Sequence, residues 1–343
     1  MMRRMARGLV LFLLAALGVA GAARSAAVGI EPAQPPPDRA SWRWYKGNTH
    51  THTLASDGDS TPEEVTRWYK DQGYQFLVLS DHNVLVDTTD LSRQFSAPEQ
   101  FLLVPGEEVT DAFAKKPLHI NGLNVNRLVE PQHGASVFDT VQRNVDAIRD
   151  AAGVPHINHP NFGWAITADE LQRLERYRLL EIFSGHPLVN NHGGGDAHGM
   201  EEVWDQLLRA GRRVYGIAVD DAHYFKRPWD SRAPRPGKGW VVVRAPRLDA
   251  AALMASLEAG EFYASTGVEF DDYRADRTAI AVRVRPLGDT RYRIVLIGPG
   301  GAIETVQGQD ARFTLDGRSG YARVVVTDSN GATAWGQPIF LDK

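Results

Sequence analysis

The chain is 343 residues long, 43% apolar and 23% charged, with a formal net charge of −4 and no cysteine. This ordinary globular composition excludes a disordered or fibrous protein and leaves room for about two domains. The absence of cysteine excludes disulfides, thiolate zinc sites, iron–sulfur clusters and a cysteine nucleophile. A mildly acidic chain without a basic run also argues against a nucleic-acid clamp.

In chain order, Arg3, Arg4 and Arg7 precede an apolar run from Leu9 to Ala20 and then small residues. Residues 1–27 therefore read as a secretory signal peptide. The apolar run is shorter than the ~20 residues of a comfortable membrane span. The expected product is periplasmic or secreted, with no stable membrane anchor after cleavage; the Arg3-Arg4 pair leaves Sec and twin-arginine export both open. Residues 28–40 (EPAQPPPD at their centre) read as a proline-rich linker.

From 41 to 267, short apolar runs alternate with helical patterns. Strands are expected at 44–52, 76–80, 101–105, 154–159, 179–183, 214–219 and 240–244. Thr61-Pro62-Glu63-Glu64 reads as a capping box with proline at the first helical position. Further helices are expected at 137–151, 200–210 and 250–259. Repeated β-then-α implies an α/β parallel sheet or barrel with right-handed crossovers. From 268 to 343 the period shifts to two, with Ile280, Val282 and Val284 alternating with polar positions, and turns at Gly298-Pro299-Gly300-Gly301 and Asp316-Gly317. This stretch reads as a small antiparallel β module.

The eleven histidines matter for their placement. His50 and His52 are two apart, so on a strand both face one side, as ligands of a single metal must. Taken alone, that spacing is better explained by a pair of surface histidines. Asp57 follows in a Ser-Asp-Gly turn. Asp81-His82-Asn83, Glu107-Glu108, His119, His159 and Asp220-Asp221-Ala222-His223 each follow or end a strand-like run. Strand C-terminal ends are where barrels and open α/β sheets keep their sites. Together the groups describe a metal cluster.

The ordered motifs His50-x-His52, Ser56-Asp57-Gly58, Asp81-His82-Asn83, Gly106-x-Glu108, His119, His159-Pro160 and Asp221-Ala222-His223 resemble those of the PHP (polymerase and histidinol phosphatase) metallohydrolases. The resemblance spans roughly Trp44 to Gly267. The run from Gly47 to Asn83, Trp240 and Tyr263–Gly267 look most like the exported branch that includes carbaryl esterases. The resemblance implies a distorted (β/α)7 barrel holding two or three divalent ions, with zinc, manganese or iron suiting the ligand set. It implies that His50, His52, Glu108 and Asp221 bind one ion and that Glu108 bridges to a second held by His119 and His159. Asp57, His82 and His223 would hold a third. Glu107 and Asp220 adjoin assigned ligands and could exchange with them; the spacing favours Glu108 and Asp221.

The expected reaction is attack by a metal-bridging hydroxide on a phosphate mono- or diester. Asp81, Glu107, Asp220 and Asn83 would orient the ligands from behind, His156 would lie behind them or in the core, and His186 would line the pocket. The expected partner is a small anionic ester. A loop over 184–199 reads as a substrate gate, with His192 and His198 either part of it or surface groups. Lys226 and Arg227 are candidates to pair with phosphate, or are solvated surface. Alternatives are a carbamate or carboxyl-ester hydrolase on the same centre, and a metal-stabilised module binding a glycan or wall polymer. Trp335, a conceivable sugar platform, reads better as core.

Overall fold

The computed structural model describes residue 39, residues 41–95 and residues 101–341. The expected signal peptide at 1–27 and all but one of the residues of the expected linker lie outside the described residues. Parallel strands β1 (Arg43–Asn48), β2 (Phe76–Val78) and β3 (Leu102–Val104) are neighbours in one sheet. A second sheet has the order β4 (Gly106–Phe113), β5 (Lys116–Leu123), β6 (Val154–Ile157), β7 (Leu179–Ser184), β8 (Tyr215–Val219). The helices are α1 (Pro62–Asp71), α2 (Thr89–Phe95), α3 (Val137–Asp150), α4 (Ala168–Arg173), α5 (Met200–Arg209) and α6 (Ala250–Ala259). Thr61 and Glu64 form the expected reciprocal cap at the start of α1. Helix α3 buries Val137, Val141, Val145 and Ile148, one stripe at helical period, against the second sheet.

Two departures from a simple parallel alternation shape the site. Pro105, lacking an N–H, interrupts the chain between β3 and β4, so Glu107 and Glu108 open a new strand instead of ending the previous one. Strand β4 then turns back through an antiparallel hairpin into β5, which places His119 mid-strand, and β6 is antiparallel to β5 as well. The run at 240–244 is a strand, β9 (Trp240–Ala245), but it lies antiparallel to β1. No helix intervenes between β8 and β9, and a parallel return requires a crossover of a dozen or more residues, usually helical.

The two sheets close into a distorted barrel along two seams. At one, His82 bridges to Glu108 in parallel; Glu108 N–H donates to Asp81 O at 3.1 Å and Asn83 N–H to Glu108 O at 2.9 Å. At the other, Thr51 bridges to Ala222; His52 N–H donates to Ala222 O at 2.9 Å and Asp221 N–H to His50 O at 3.0 Å. The candidate ligands are thus the residues that stitch the barrel shut.

Strand β10 (Phe262–Ser265) pairs with β9 and carries the sheet onward. The C-terminal strands are β11 (Phe270–Ala275), β12 (Ala279–Val284), β13 (Tyr292–Gly298), β14 (Gly301–Gln307), β15 (Asp310–Thr314), β16 (Tyr321–Asp328), β17 (Thr333–Gly336) and β18 (Ile339–Phe340). All their pairings are antiparallel, as expected for short alternating strands joined by tight turns. Strands β14-β13-β16-β17 continue directly through β10 and β9 into β1. The separate sheet β11-β12-β15 shares a core with them through Ile280, Val282, Phe313, Ile294, Leu296, Val324 and Val326. Trp335 is core, only 6% exposed. Among the described residues no helix is long and apolar enough to cross a membrane.

Candidate metal centre

The extended chain beyond β1 places His50 and His52 on one face, both fully buried. The following turn is folded by Asp81, whose carboxylate accepts from Thr53 N–H at 2.8 Å, Thr53 Oγ1 at 2.9 Å and Ser56 Oγ at 2.7 Å. Gly58 makes the turn possible, since a Cβ there would lie 2.8 Å from His52 O. Asp81 therefore positions the turn that carries Asp57. Asn83 and Asp221 both sit in the left-handed region, with φ of 53° and 50°. Asp and Asn tolerate that region best among residues with a side chain, and such strain gathers where a fold must aim a group.

His50 Nε2 lies 3.3 Å from Glu108 Oε2 and 3.4 Å from Asp221 Oδ1, and His52 Nε2 lies 3.3 Å from each of the same two oxygens. A tetrahedral ion with bonds of ~2.0–2.1 Å needs donor separations of about 3.3–3.4 Å. The other Glu108 oxygen, Oε1, is 3.1 Å from His119 Nδ1 and 3.4 Å from His159 Nε2. Asp57 Oδ2 is 3.4 Å from His223 Nε2 and 3.6 Å from His82 Nε2. The nine residues singled out from the sequence thus converge in three neighbouring sets, the two oxygens of Glu108 linking the first two; seven of them line one cavity, and His50 and His52 are fully buried beside them. His50 Nε2, both nitrogens of His52, Glu108 Oε2 and His119 Nδ1 are buried without a hydrogen-bond partner. Orphaned donor atoms at coordination spacing fit divalent cations.

The rings are held so that lone pairs face inward. His50 Nδ1 is 2.6 Å from Glu181 Oε1, His82 Nδ1 2.5 Å from Thr110 Oγ1, and His223 Nδ1 3.0 Å from Asp221 O. An acceptor at Nδ1 fixes the proton there and frees Nε2 to ligate. Asn83 grips both the N–H and the C=O of Thr110, at 2.8 and 3.1 Å, and so steadies His82 through it. Glu181 was missed in the sequence: it also accepts His159 N–H at 2.8 Å and is fully buried. Its only signal is a lone acid inside the apolar strand Leu179–Ser184.

Burial opposes charge throughout the cluster, and the balance between burial and pairing differs from group to group. At His50, the Asp221, Glu108 and Glu181 carboxylates outweigh burial and hold the pKa well above the ordinary imidazole value. His82 is pushed up to about 10, Glu108 and Asp57 overcoming its burial. Burial wins at His52, pulled down to about 4 with help from His223 and His50. Against their own burial, the surrounding imidazoles hold Glu108 and Asp221 well below the carboxylate range. The carboxylates stay charged and draw positive charge into the cavity.

Other residues fall elsewhere. Glu107, expected to brace a ligand, occupies the opposite face of β4 from Glu108, because strand side chains alternate. It accepts Val129 N–H at 2.7 Å and is pushed to about 7 by burial. Asp220 also touches no candidate ligand; it accepts from Tyr69 Oη at 2.8 Å and Gly239 N–H at 2.9 Å, fixing the return into β9. His156 is fully buried behind Glu181, 3.6 Å from Oε1. His186 lines the cavity together with Phe162. His192 and His198 are exposed, His198 pairing with Glu202 at 2.7 Å. Lys226 does not reach the cavity as a phosphate partner: its Nζ pairs with Glu64 at 3.0 Å. Arg227 lies over the Tyr224 ring. The expected gate at 184–199 is tied down at its start, where the Asn191 side chain bonds both Ser184 N–H and Ser184 O at 2.9 and 2.8 Å.

No family model matches the chain. Among solved structures it is similar to a two-domain protein of Bacteroides vulgatus ATCC 8482 containing a predicted PHP-like metal-dependent phosphoesterase. The TM-score is 0.52 at 15% identity, covering 88% of this chain and 97% of that one. The chain has the fold of that two-domain PHP-like protein. A putative metal-dependent phosphoesterase of Bifidobacterium adolescentis ATCC 15703 matches with a TM-score of 0.41 and 14% identity, over 57% of this chain and 91% of that one. Among curated proteins, the 5′-3′ exoribonuclease Rnm of Escherichia coli K12 is 31% identical over 78 residues, 22% of this chain and 27% of that protein. The match spans only about a quarter of that relative's length.

Proposed function

We propose that the protein is a metal-dependent hydrolase of phosphate esters. The observation that carries this reading is the placement of His50 Nε2 and His52 Nε2 3.3–3.4 Å from both Glu108 Oε2 and Asp221 Oδ1, next to a second set reached by the other Glu108 oxygen. His50, His52, Glu108, Asp221 and the neighbouring set would hold divalent ions, which when bound would supply an acidified water and positive charge for the ester's oxygens. The chain's own residues do the rest. Glu181 and Thr110 hold His50 and His82 in the ligating tautomer. Phe162 presents an apolar ring to the cavity, edge-on to His159 with ring centres 5.3 Å apart, and limits water there.

The cavity is about 120 Å³, against ~300–1,000 Å³ for pockets that enclose a drug-sized molecule. It admits the scissile group while the remainder of a substrate rests outside. Similarity over 78 residues to an exoribonuclease supports a phosphate ester over a carbamate. The leader-like residues 1–27 support an exported location, periplasmic or secreted.

The test is parallel assay of the metal-loaded protein on p-nitrophenyl phosphate, bis(p-nitrophenyl) phosphate and an aryl carbamate at rising sodium chloride. The expected result is hydrolysis of a phosphate ester with kcat/KM falling as salt screens the anion. Turnover confined to the carbamate and indifferent to salt would refute the reading.

A further inference from the structure

His186 lines the cavity but enters none of the four His and carboxylate donor groups found among the described residues. It stands just past β7, and its position is fixed. His186 N–H donates to Ser184 Oγ at 3.2 Å. Asn161 Nδ2 donates to Asn190 O at 3.0 Å and His198 O at 2.9 Å, and Asn190 Nδ2 donates back to Asn161 O at 3.0 Å. The His186 ring meets Phe162 edge-on at 5.9 Å and His223 at 5.5 Å.

The decisive contact is at the ring's other end. Leu188 N–H donates to His186 Nδ1 at 3.2 Å. A nitrogen that accepts carries no proton, so the neutral ring holds its proton at Nε2. Protonating Nδ1 would set two donors against each other. This is the reverse of His50, His82 and His223, whose Nδ1 atoms face acceptors and whose Nε2 lone pairs are free. The contrast separates a ligand from a donor by hydrogen bonding alone.

We propose that His186 is a catalytic residue that donates an Nε2–H hydrogen bond to a non-bridging oxygen of the substrate's phosphoryl group and holds no metal. The proposal rests on the phosphoesterase reading above. A transferring phosphoryl group spreads charge over three equatorial oxygens. A donor fixed in advance at the wall of a small cavity acts on that charge without reorganising. No proton is transferred, because a neutral imidazole N–H is too weak an acid; the donor stays a donor throughout.

The test compares wild type, His186→Ala and His186→Gln as full-length, manganese-loaded proteins. Metal content is read by elemental analysis, orthophosphate affinity by calorimetry, and kcat/KM on p-nitrophenyl phosphate and phenyl phosphate. Both variants are expected to keep the wild-type metal content and to bind orthophosphate more weakly. His186→Ala should lose about 10²–10³-fold in kcat/KM, equally on the two esters, and His186→Gln, which retains an N–H, should regain about tenfold. Loss of an ion in either variant would make His186 a ligand, and a larger loss on phenyl phosphate would make it a general acid; either overturns the proposal, as does unchanged orthophosphate affinity. If wild type binds orthophosphate but hydrolyses no phosphate ester, the functional reading fails, and the orthophosphate affinities still decide the donor.

Discussion

Glu181 sits between Leu180 and Ile182 on a buried strand, and its two oxygens serve His50 Nδ1 and His159 N–H. A carboxylate behind a ligating imidazole fixes its tautomer and raises its basicity, and losing it typically costs ~10–100-fold in metal affinity. Glu181→Gln is expected to weaken metal binding by about that factor in a chelator competition, with the fold retained. The metal-free cluster also has a pH signature whose sign follows from its shifts. His52, lowered to about 4, takes up its proton more readily in the unfolded chain, so stability rises with pH from about 4 to the unperturbed 6.5. His82, raised to about 10, binds its proton more tightly when folded; its contribution is complete below 6.5 and is lost as pH climbs towards 10. His50, His159 and His223 are shifted up as well. The melting temperature of chelator-stripped protein should therefore peak near the unperturbed 6.5 and decline on the alkaline side. Added zinc or manganese should abolish that alkaline decline; a profile that keeps rising to alkaline pH would contradict the assignment.

At the scale of elements, the seams explain why ligands and closure coincide. Asn83 holds a left-handed backbone while its amide clamps Thr110, the partner of His82. Asn83→Ala removes the clamp and keeps the strain, and it is expected to lower unfolding free energy by ~1–3 kcal/mol in urea titration. Asn83→Gly, which relieves the strain, should lose less. Much of this architecture was legible in the chain. Period-two histidines, acids after apolar runs and the Thr61 cap are local signals, and local signals survive in a sequence. The β4–β5 hairpin was not legible, because Pro105 and the mixed run from Gly106 to Phe113 give no clean period. Glu107 and Asp220 were misplaced for a related reason: neighbours in an extended chain point opposite ways, and sequence alone does not say which of two adjacent acids faces in. Glu181 belongs to no motif at all, since a single acid has no spacing to read.

For the whole molecule, strands β14, β13, β16 and β17 extend the first sheet of the barrel, while β11, β12 and β15 form a sheet of their own. Gln337 donates to Gly216 O and accepts Gly216 N–H, both at 2.8 Å, satisfying β8 on the edge that no strand of the described residues pairs with. Arg323 on β16, 1% exposed, is gripped by Asp205 through Nε at 2.9 Å and Nη2 at 2.8 Å, and by Glu201 at 2.9 Å, both from α5. Removing one partner of a buried ion pair strands the other, typically costing ~3–5 kcal/mol. Asp205→Ala is expected to destabilise the whole protein by about 3 kcal/mol in chemical denaturation, in one transition for core and C-terminal strands together. A separate early transition for the C-terminal strands would refute that coupling.

The most direct test of the central claim is elemental analysis of the purified protein and of Glu108→Ala after equilibrium dialysis against zinc or manganese. Because the two oxygens of Glu108 face two donor sets, wild type should hold two or three ions per chain and the variant should lose more than one. Equal metal content in the two proteins, or none in wild type, would contradict the account.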